Sequence, residues 1–264
     1  PWPLIGALSG GVLFSGLVMW WHDNSYGPFV FGLGVAGVLV TMISWWSNTI
    51  KEAHEGHHTP VVSLHLRYGM ILFIASEVMF FLAWFWAFFD ASLFPPAIEV
   101  VEGAAQAISD PAATPATWPP RGIAVLDPWG FPLLNTMILL CSGTTVTWAH
   151  HSLIHGDRNG LKLGLLLTIL LGILFTSIQA YEYAHAPFAF TGTIYGSTFV
   201  MATGFHGFHV LIGTIFLAVC LIRAERGDFT PERHLGFEFA AWYWHFVDVV
   251  WLFLFASVYI WGSW

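Results

Sequence analysis

The chain has 264 residues, of which 56% are hydrophobic and only 9% are charged. A soluble domain is about a quarter charged, so this composition excludes an ordinary soluble protein and indicates a membrane protein. The formal net charge of −8 argues against nucleic-acid binding. The two cysteines, Cys141 and Cys220, lie in apolar runs and are expected to be packing thiols.

Seven apolar runs are long enough to cross a bilayer, whose hydrocarbon core needs about 20 helical residues. In chain order, the predicted helices are residues 3–22, 28–49, 67–90, 131–151, 161–182, 193–222 and 238–262. Gly6 and Gly10 give the first helix a pair of small residues suited to close helix packing. No signal peptide is visible, and the opening PWPLIG indicates a trimmed or processed start. We predict a single transmembrane domain over residues 1–264.

The basic residues predict the orientation of these helices. With the N-terminus inside, seven of the eight Lys and Arg residues lie in inner connections, and only Arg121 lies outside. The positive-inside rule therefore predicts an inner N-terminus and an outer C-terminus. The outer connection, residues 91–130, is rich in proline and is predicted as a loop without a domain of its own. Its acidic residues include Glu99, Glu102, Asp110 and Asp127.

Glu77 is the only charged residue in the apolar run from Tyr68 to Phe89. A charged group at that depth costs about 2.5–3.5 kcal/mol on insertion scales unless it is neutral, paired or facing water. At 1.5 Å per residue, Glu77 lies about 15 Å from Arg67, near the midplane. We expect a buried polar network whose members are Glu77, His206, His209, His245 and Asp248. A network that fixes helix packing and a proton relay are both open interpretations.

Two histidine clusters lie on the predicted inner side, HEGHH at 54–58 and HHSLIH at 150–155. Clusters of this shape supply iron ligands in membrane desaturases and hydroxylases, so a di-iron enzyme is the alternative from a different class. A third cluster is missing, because His234 stands alone in PERHLGF. Lipid head-group binding or helix capping is the other interpretation of these histidines.

Cations gather at the inner helix ends, at Arg67, Arg223, Arg226 and Arg233. Basic pockets between spans suit anionic lipid phosphates, which arginine can bind with two hydrogen bonds. Ordinary positive-inside charge is the alternative, and spacing alone does not separate the two.

Long segments of the chain resemble subunit III of the aa3-type cytochrome c oxidases. They are LRYGMILFIASEVMFFLAWFWAFF (66–89), TVTWAHHSLIHGDR (145–158), MATGFHGFHVLIGT (201–214) and GFEFAAWYWHFVDVVWLFLF (236–255), with WWSNTIKEAHEGHHTP (45–60) in the second connection. The resemblance covers nearly the whole chain. It departs from the family before Pro1 and in the outer loop between about 95 and 130.

The resemblance implies an all-α membrane protein of seven transmembrane helices, in a two-plus-five bundle with a V-shaped cleft that binds phospholipids. It implies no catalytic residue, metal, haem or copper in this chain; haem a, haem a3 and the copper centres are expected in partner subunits. The chain would pack on subunit I, in a complex with subunit II that takes electrons from cytochrome c, reduces O2 and translocates protons in the respiratory chain. It would sustain proton uptake and protect the complex from turnover inactivation.

The same resemblance implies a set of lipid-binding residues, with Glu77 in the place of the family's carbodiimide-reactive glutamate. The set is Trp46, His58, Arg67, Phe73, Glu77, Arg223, Arg226, Arg233 and His234. The equivalent subunit of a heme–copper quinol oxidase is an alternative, because subunit II, and not this chain, determines the electron donor. The long outer loop favours a bacterial inner membrane over a mitochondrial one.

Overall fold

The structure is a computed structural model that describes residues 1–101, 104–107 and 116–263. Its seven α-helices over the described residues are α1 (Trp2–Trp21), α2 (Gly27–His54), α3 (Pro60–Leu93), α4 (Phe131–Ile154), α5 (Arg158–Ala184), α6 (Ile194–Glu225) and α7 (Leu235–Leu254). A π-helical segment, Phe255–Ile260, and a short 3-10 turn, Trp261–Ser263, continue α7. The predicted seven-helix, all-α class is confirmed.

Several helices run beyond the apolar segments that predicted them. α2 continues past residue 49 to His54, and α3 begins at Pro60 rather than at residue 67. A helix satisfies its own backbone hydrogen bonds, so it need not end where the hydrocarbon ends, and its polar end turns can lie among the lipid head groups. Arg67, predicted at the helix end, therefore lies about two turns inside α3.

Six helices in the described part of the chain are long and apolar enough to cross a membrane: α1, α2, α3, α5, α6 and α7 with its continuation. The remaining helix, α4, has 24 residues but carries many polar side chains, among them Asn135, Thr136 and Ser142. These three are buried. A helix packed among others can be less apolar than one facing lipid, because its polar groups find partners inside the protein.

The chain divides into two compact units, Pro1–Leu66 and Arg67–Trp264. The first contains α1, α2 and the first turns of α3, and the second contains the rest of α3 and helices α4 to α7. This division agrees with the two-plus-five grouping of helices.

Glycines set the approach of α1 to α2 in the first unit. A Cβ atom on Gly16 would overlap the backbone of Phe31, and one on Gly34 would overlap Leu13. The predicted Gly6 and Gly10 pair is not the point of closest approach, because a Cβ on Gly10 would meet nothing within 4 Å. Small residues do allow α1 to pack closely on α2, as predicted, but the rotation of α1 places Gly16 rather than Gly10 at the contact.

Trp244 of α7 is fully buried in the second unit. Its Nε1 donates a hydrogen bond to Ser142 Oγ of α4 at 2.9 Å. The indole ring lies against two glycines, Gly172 of α5 and Gly213 of α6. One aromatic side chain therefore contacts three neighbouring helices, and small residues make room for it.

A small hairpin interrupts the connection between α3 and α4. Strand β1 (Ile98–Val101) pairs antiparallel with β2 (Ala104–Ala107), in a register that places Ile98 opposite Ala107. These strands were not predicted from the sequence, and α3 ends at Leu93 rather than at the predicted residue 90. Glu102 and Asp110 lie outside the described residues.

We predict that Gly213→Ala lowers the free energy of unfolding by about 1–3 kcal/mol, because overpacking a tight site forces side chains and backbone to shift. A Cβ at this position would lie 2.9 Å from Cε3 of the Trp244 indole. The matched control is Gly207→Ala on the same helix, where a Cβ would meet nothing within 4 Å. Thermal denaturation of both variants in detergent measures the difference, and equal stability of the two would contradict this account.

Candidate functional site

Glu77 pairs with His209 and so connects α3 to α6. Glu77 Oε2 lies 2.7 Å from His209 Nε2, and His209 Nδ1 lies 2.6 Å from the carbonyl oxygen of Phe205. A carbonyl oxygen only accepts hydrogen bonds, so Nδ1 must carry a proton and donate it. One further proton then lies between Nε2 and Oε2. Whichever atom holds that proton, the pair has no net charge.

Aromatic rings surround this pair. The rings of Phe80, Phe81 and Tyr243 have centroids 5.9, 5.0 and 6.3 Å from that of the His209 imidazole. The side chains of Glu77 and His209 are largely buried. In such surroundings the hydrogen bond is strong, and removal of one partner would leave a costly unpaired polar group.

Arg67 forms the second polar link of α3, with Glu238 in the first turn of α7. Arg67 Nε donates to Glu238 Oε1 and Nη2 donates to Oε2, both at 2.9 Å. This is the two-bond geometry in which guanidinium and carboxylate match best. The Glu238 side chain is 13% exposed and that of Arg67 is 43% exposed, so the pair lies at the boundary of the packed interior.

Asp248 of α7 lies against α4, close to His245 one turn earlier. A Cβ on Gly143 would overlap the Asp248 carboxylate, so the lack of a side chain on Gly143 leaves the space that this carboxylate occupies. His245 Nδ1 lies 3.7 Å from Asp248 Oδ2, and His245 Nε2 lies 3.1 Å from Thr147 Oγ1. The His245 side chain is 47% exposed, although it lies near the middle of α7 and its continuation.

His206 has separate contacts. Its Nε2 donates to the carbonyl oxygen of Val247 at 3.1 Å. Its ring lies between those of Phe175 and Trp251, at centroid distances of 5.7 and 5.0 Å. The five residues expected to form one network are thus divided among three sets of contacts: Glu77 with His209, His245 with Asp248, and His206 with backbone.

The three arginines at the ends of α6 and α7 differ in their surroundings. Arg223 Nε lies 3.4 Å from Asp228 Oδ2, and its guanidinium lies 4.5 Å from the centroid of the Phe229 ring. Arg226 caps α6 directly after its last residue, Arg233 lies in the connection to α7, and both are exposed. Neither of these two side chains has an ion-pair partner among the residues that the structure describes.

The remaining lipid-site candidates lie in several elements. Trp46 is exposed on α2, and His58 is half-buried in the turn before α3. Phe73 stacks on Tyr243 with ring centroids 6.2 Å apart. His234 precedes α7, where its Nδ1 lies 3.1 Å from the carbonyl oxygen of Thr230 and its ring lies 5.3 Å from that of His150.

Sequence reasoning missed a polar cluster that joins α5 to the end of α7. Tyr259 donates its hydroxyl hydrogen to Glu182 Oε1 at 2.7 Å, and Gln179 Nε2 lies 3.1 Å from both partners. Asn135 of α4 donates to Gln179 at 3.3 Å. All four side chains are buried. The signal was present, since Gln179 and Glu182 are three residues apart and share one helix face.

The histidine clusters do not form a metal-binding group. Nowhere in residues 1–101, 104–107 and 116–263 do three or more His, Cys, Asp or Glu side chains meet in a metal-holding arrangement. His151 and His155 stack on each other with centroids 4.1 Å apart, while His150 lies against Phe237. The described residues therefore offer no ligand set to the di-iron alternative.

Comparison with known proteins gives one consistent result. The sequence model of the family described as cytochrome c oxidase subunit III matches residues 1–263. The chain is 54% identical over 264 residues to cytochrome c oxidase subunit 3 of Marchantia polymorpha, which covers 100% of this chain and 94% of that protein. The proteins of the same name from Xenopus laevis and Rattus norvegicus are also 54% identical, and 95% of each is covered.

We predict that Arg67 and Glu238 are energetically coupled by about 1–2 kcal/mol, the range for hydrogen bonds to charged groups reduced for partial solvent exposure. A double-mutant cycle of Arg67→Met and Glu238→Gln, measured by chemical denaturation in detergent micelles, gives the coupling. The control pair is Lys162 and Glu225, which forms a single 2.6 Å contact with both side chains more open to solvent than Glu238. That pair should couple by about 0.5 kcal/mol or less. Equal coupling in the two cycles would contradict the prediction.

Proposed function

The chain belongs to the family of cytochrome c oxidase subunit III, and we propose that it is a non-catalytic core subunit of a proton-pumping cytochrome c oxidase. In that complex the haem a, haem a3 and copper centres belong to subunits I and II, and cytochrome c supplies the electrons. The role proposed for this chain is to bind structural phospholipids, pack on subunit I, sustain proton uptake and protect the complex from turnover inactivation.

The pairing of the ionisable groups in the second unit carries this proposal. Glu77 is bonded to His209, Arg67 to Glu238, and Asp248 lies beside His245. Each of the first two pairs joins two helices, and the third lies against Gly143 of α4. Their arrangement favours a scaffold that holds helices together.

Phospholipid binding is proposed at the basic ends of α3, α6 and α7. Arg226 and Arg233 are exposed and lack ion-pair partners in the described part of the chain, so their guanidinium groups are available to a phosphate. Nη1 of Arg67 can still donate to a phosphate, because Glu238 accepts hydrogen bonds only from Nε and Nη2. Anionic head groups suit such cationic positions at the membrane boundary. The wider proposed set contains Trp46, His58, Phe73, Glu77, Arg223 and His234.

His245 supports packing against a partner within the membrane. An imidazole that is 47% exposed near the middle of a membrane helix is costly if it faces lipid alone. Thr147 on α4 lies beside it and is also exposed. A membrane-embedded partner packed over this exposed pair would shield it from lipid, and subunit I is the partner that we propose.

The chain is an integral membrane protein. The inner N-terminus and outer C-terminus are proposed from the positive-inside rule. The preference for a bacterial inner membrane stays a prediction without support, because the compared relatives are eukaryotic. The quinol oxidase alternative also lacks support, since these relatives are named as subunits of cytochrome c oxidase.

We predict that Arg226→Ala weakens phospholipid retention by about tenfold to a hundredfold, because a charge-assisted hydrogen bond contributes about 1.5–3 kcal/mol. Arg67→Ala should also reduce the lipid that co-purifies with the complex, and both variants should shorten its active lifetime. The control is Lys162→Ala, which removes a cation that is already paired with Glu225. Lipid analysis by mass spectrometry and the rate of inactivation during turnover test this. Unchanged values in the arginine variants would refute phosphate binding there.

We predict that Glu77→Gln leaves proton pumping largely intact. The amide of glutamine can donate a hydrogen bond to Nε2 of a neutral His209, so the link between α3 and α6 is retained. Proton release by the reconstituted complex after a pulse of O2 measures the effect. Loss of pumping with normal assembly and normal lipid content would instead establish Glu77 as part of a relay.

A further inference from the structure

One face of α3 presents a continuous row of large exposed side chains. Met79, Leu82, Trp86 and Leu93 are exposed, and Trp86 is 76% exposed. Spacings of three, four and seven residues place them on a single side of the helix. Interfaces between membrane helices are usually rich in small residues, so a face built from bulky side chains is better suited to a lipid chain than to another helix.

Asp90 lies on this face at the depth of the lipid head groups. Glu77 is at the middle of α3, which runs from Pro60 to Leu93. Asp90 is therefore about 20 Å from the middle of the helix, at 1.5 Å per residue. Half of the hydrocarbon core is about 15 Å thick. Trp86 then lies near the hydrocarbon boundary, while Leu82 and Met79 lie within the hydrocarbon.

The exposed Asp90 shares a shallow cavity with aromatic side chains. Trp86, Phe89, Asp90, Leu93 and Phe94 line a shallow cavity of about 310 Å³. Phe94 is 77% exposed, so this aromatic side chain is as open to a ligand as that of Trp86. Among the described residues, no Lys or Arg forms an ion pair with Asp90. A carboxylate between open aromatic faces has the chemistry that recognises ammonium groups, through charge and through cation–π attraction.

We propose that this end of α3 binds a zwitterionic phospholipid. Its ammonium group lies against the Asp90 carboxylate between the rings of Trp86 and Phe94, and its acyl chain follows Leu82 and Met79 towards the middle of the helix. The site differs from the proposed phosphate-binding arginines in both position and charge, because it lies at the end of α3 opposite Arg67 and selects a cationic group. It rests on the membrane placement of α3 and not on binding at Arg226.

The test uses the assembled oxidase in nanodiscs that contain phosphatidylcholine or phosphatidylglycerol carrying the same photoactivatable acyl chain. After illumination, peptide mapping by mass spectrometry measures labelling of residues 79–94. Phosphatidylcholine should label this segment about twofold to fivefold more than phosphatidylglycerol, the range expected for an exposed cation–π contact. Asp90→Asn should remove the preference and Asp90→Glu should keep it. Trp86→Leu should reduce it, because the charge remains but the ring is lost.

The control is Asp23→Asn, which neutralises another exposed aspartate, at the turn after α1. It should leave the preference for phosphatidylcholine unchanged. Equal labelling by the two lipids in the unaltered complex would overturn the proposal, as would a preference that survives Asp90→Asn. So would protection of residues 79–94 from both lipids, which would mean that another protein chain covers this face. Labelling around residues 223–234 is read separately, so failure at Asp90 is distinguishable from failure of the proposed phosphate site.

Discussion

Neutralisation of charge between helices is the constraint on which the second unit depends. Helices in lipid are not driven together by the hydrophobic effect, because lipid tails are as apolar as their side chains. Association then relies on packing and on polar contacts such as those of Glu77 with His209 and of Arg67 with Glu238. The first pair is neutral whichever atom holds its shared proton. It therefore joins α3 to α6 without leaving a net charge at membrane depth.

The sequence was sufficient for the number and order of the helices, because the length of an apolar run reflects the thickness of the bilayer. It was insufficient for helix ends, since the head-group layer tolerates polar turns such as those that precede Arg67. It placed Glu77 and His209 in one network of five residues, but it did not single out the bond between these two, which lie 132 residues apart in the chain. Only the rotation and packing of both helices determine that contact, and the same holds for Gly16, which replaces Gly10 at the close approach of α1 to α2.

Chemically identical residues acquire different roles through their neighbours. Nothing in the sequence ranks Arg223, Arg226 and Arg233, yet Arg223 is held by Asp228 and Phe229 while the other two remain exposed. Resemblance to a family identifies all three together. Only the three-dimensional structure separates the held Arg223 from the two exposed arginines. Arg226 and Arg233 are therefore the better candidates for contact with a ligand from the membrane.

The π-helical segment Phe255–Ile260 changes which sides of the last span face its neighbours. A π-helical turn holds about one residue more than an α-helical turn, and each added residue rotates the later part of the helix by about 100°. A helical wheel drawn for α7 and extended through its end would therefore place Tyr259 on the wrong side. With the π-helical turn in place, Tyr259 faces α5 and donates its hydrogen bond to Glu182. The widened turn thus acts as a phase correction, which directs Tyr259 towards Glu182 of α5 at the end of the span.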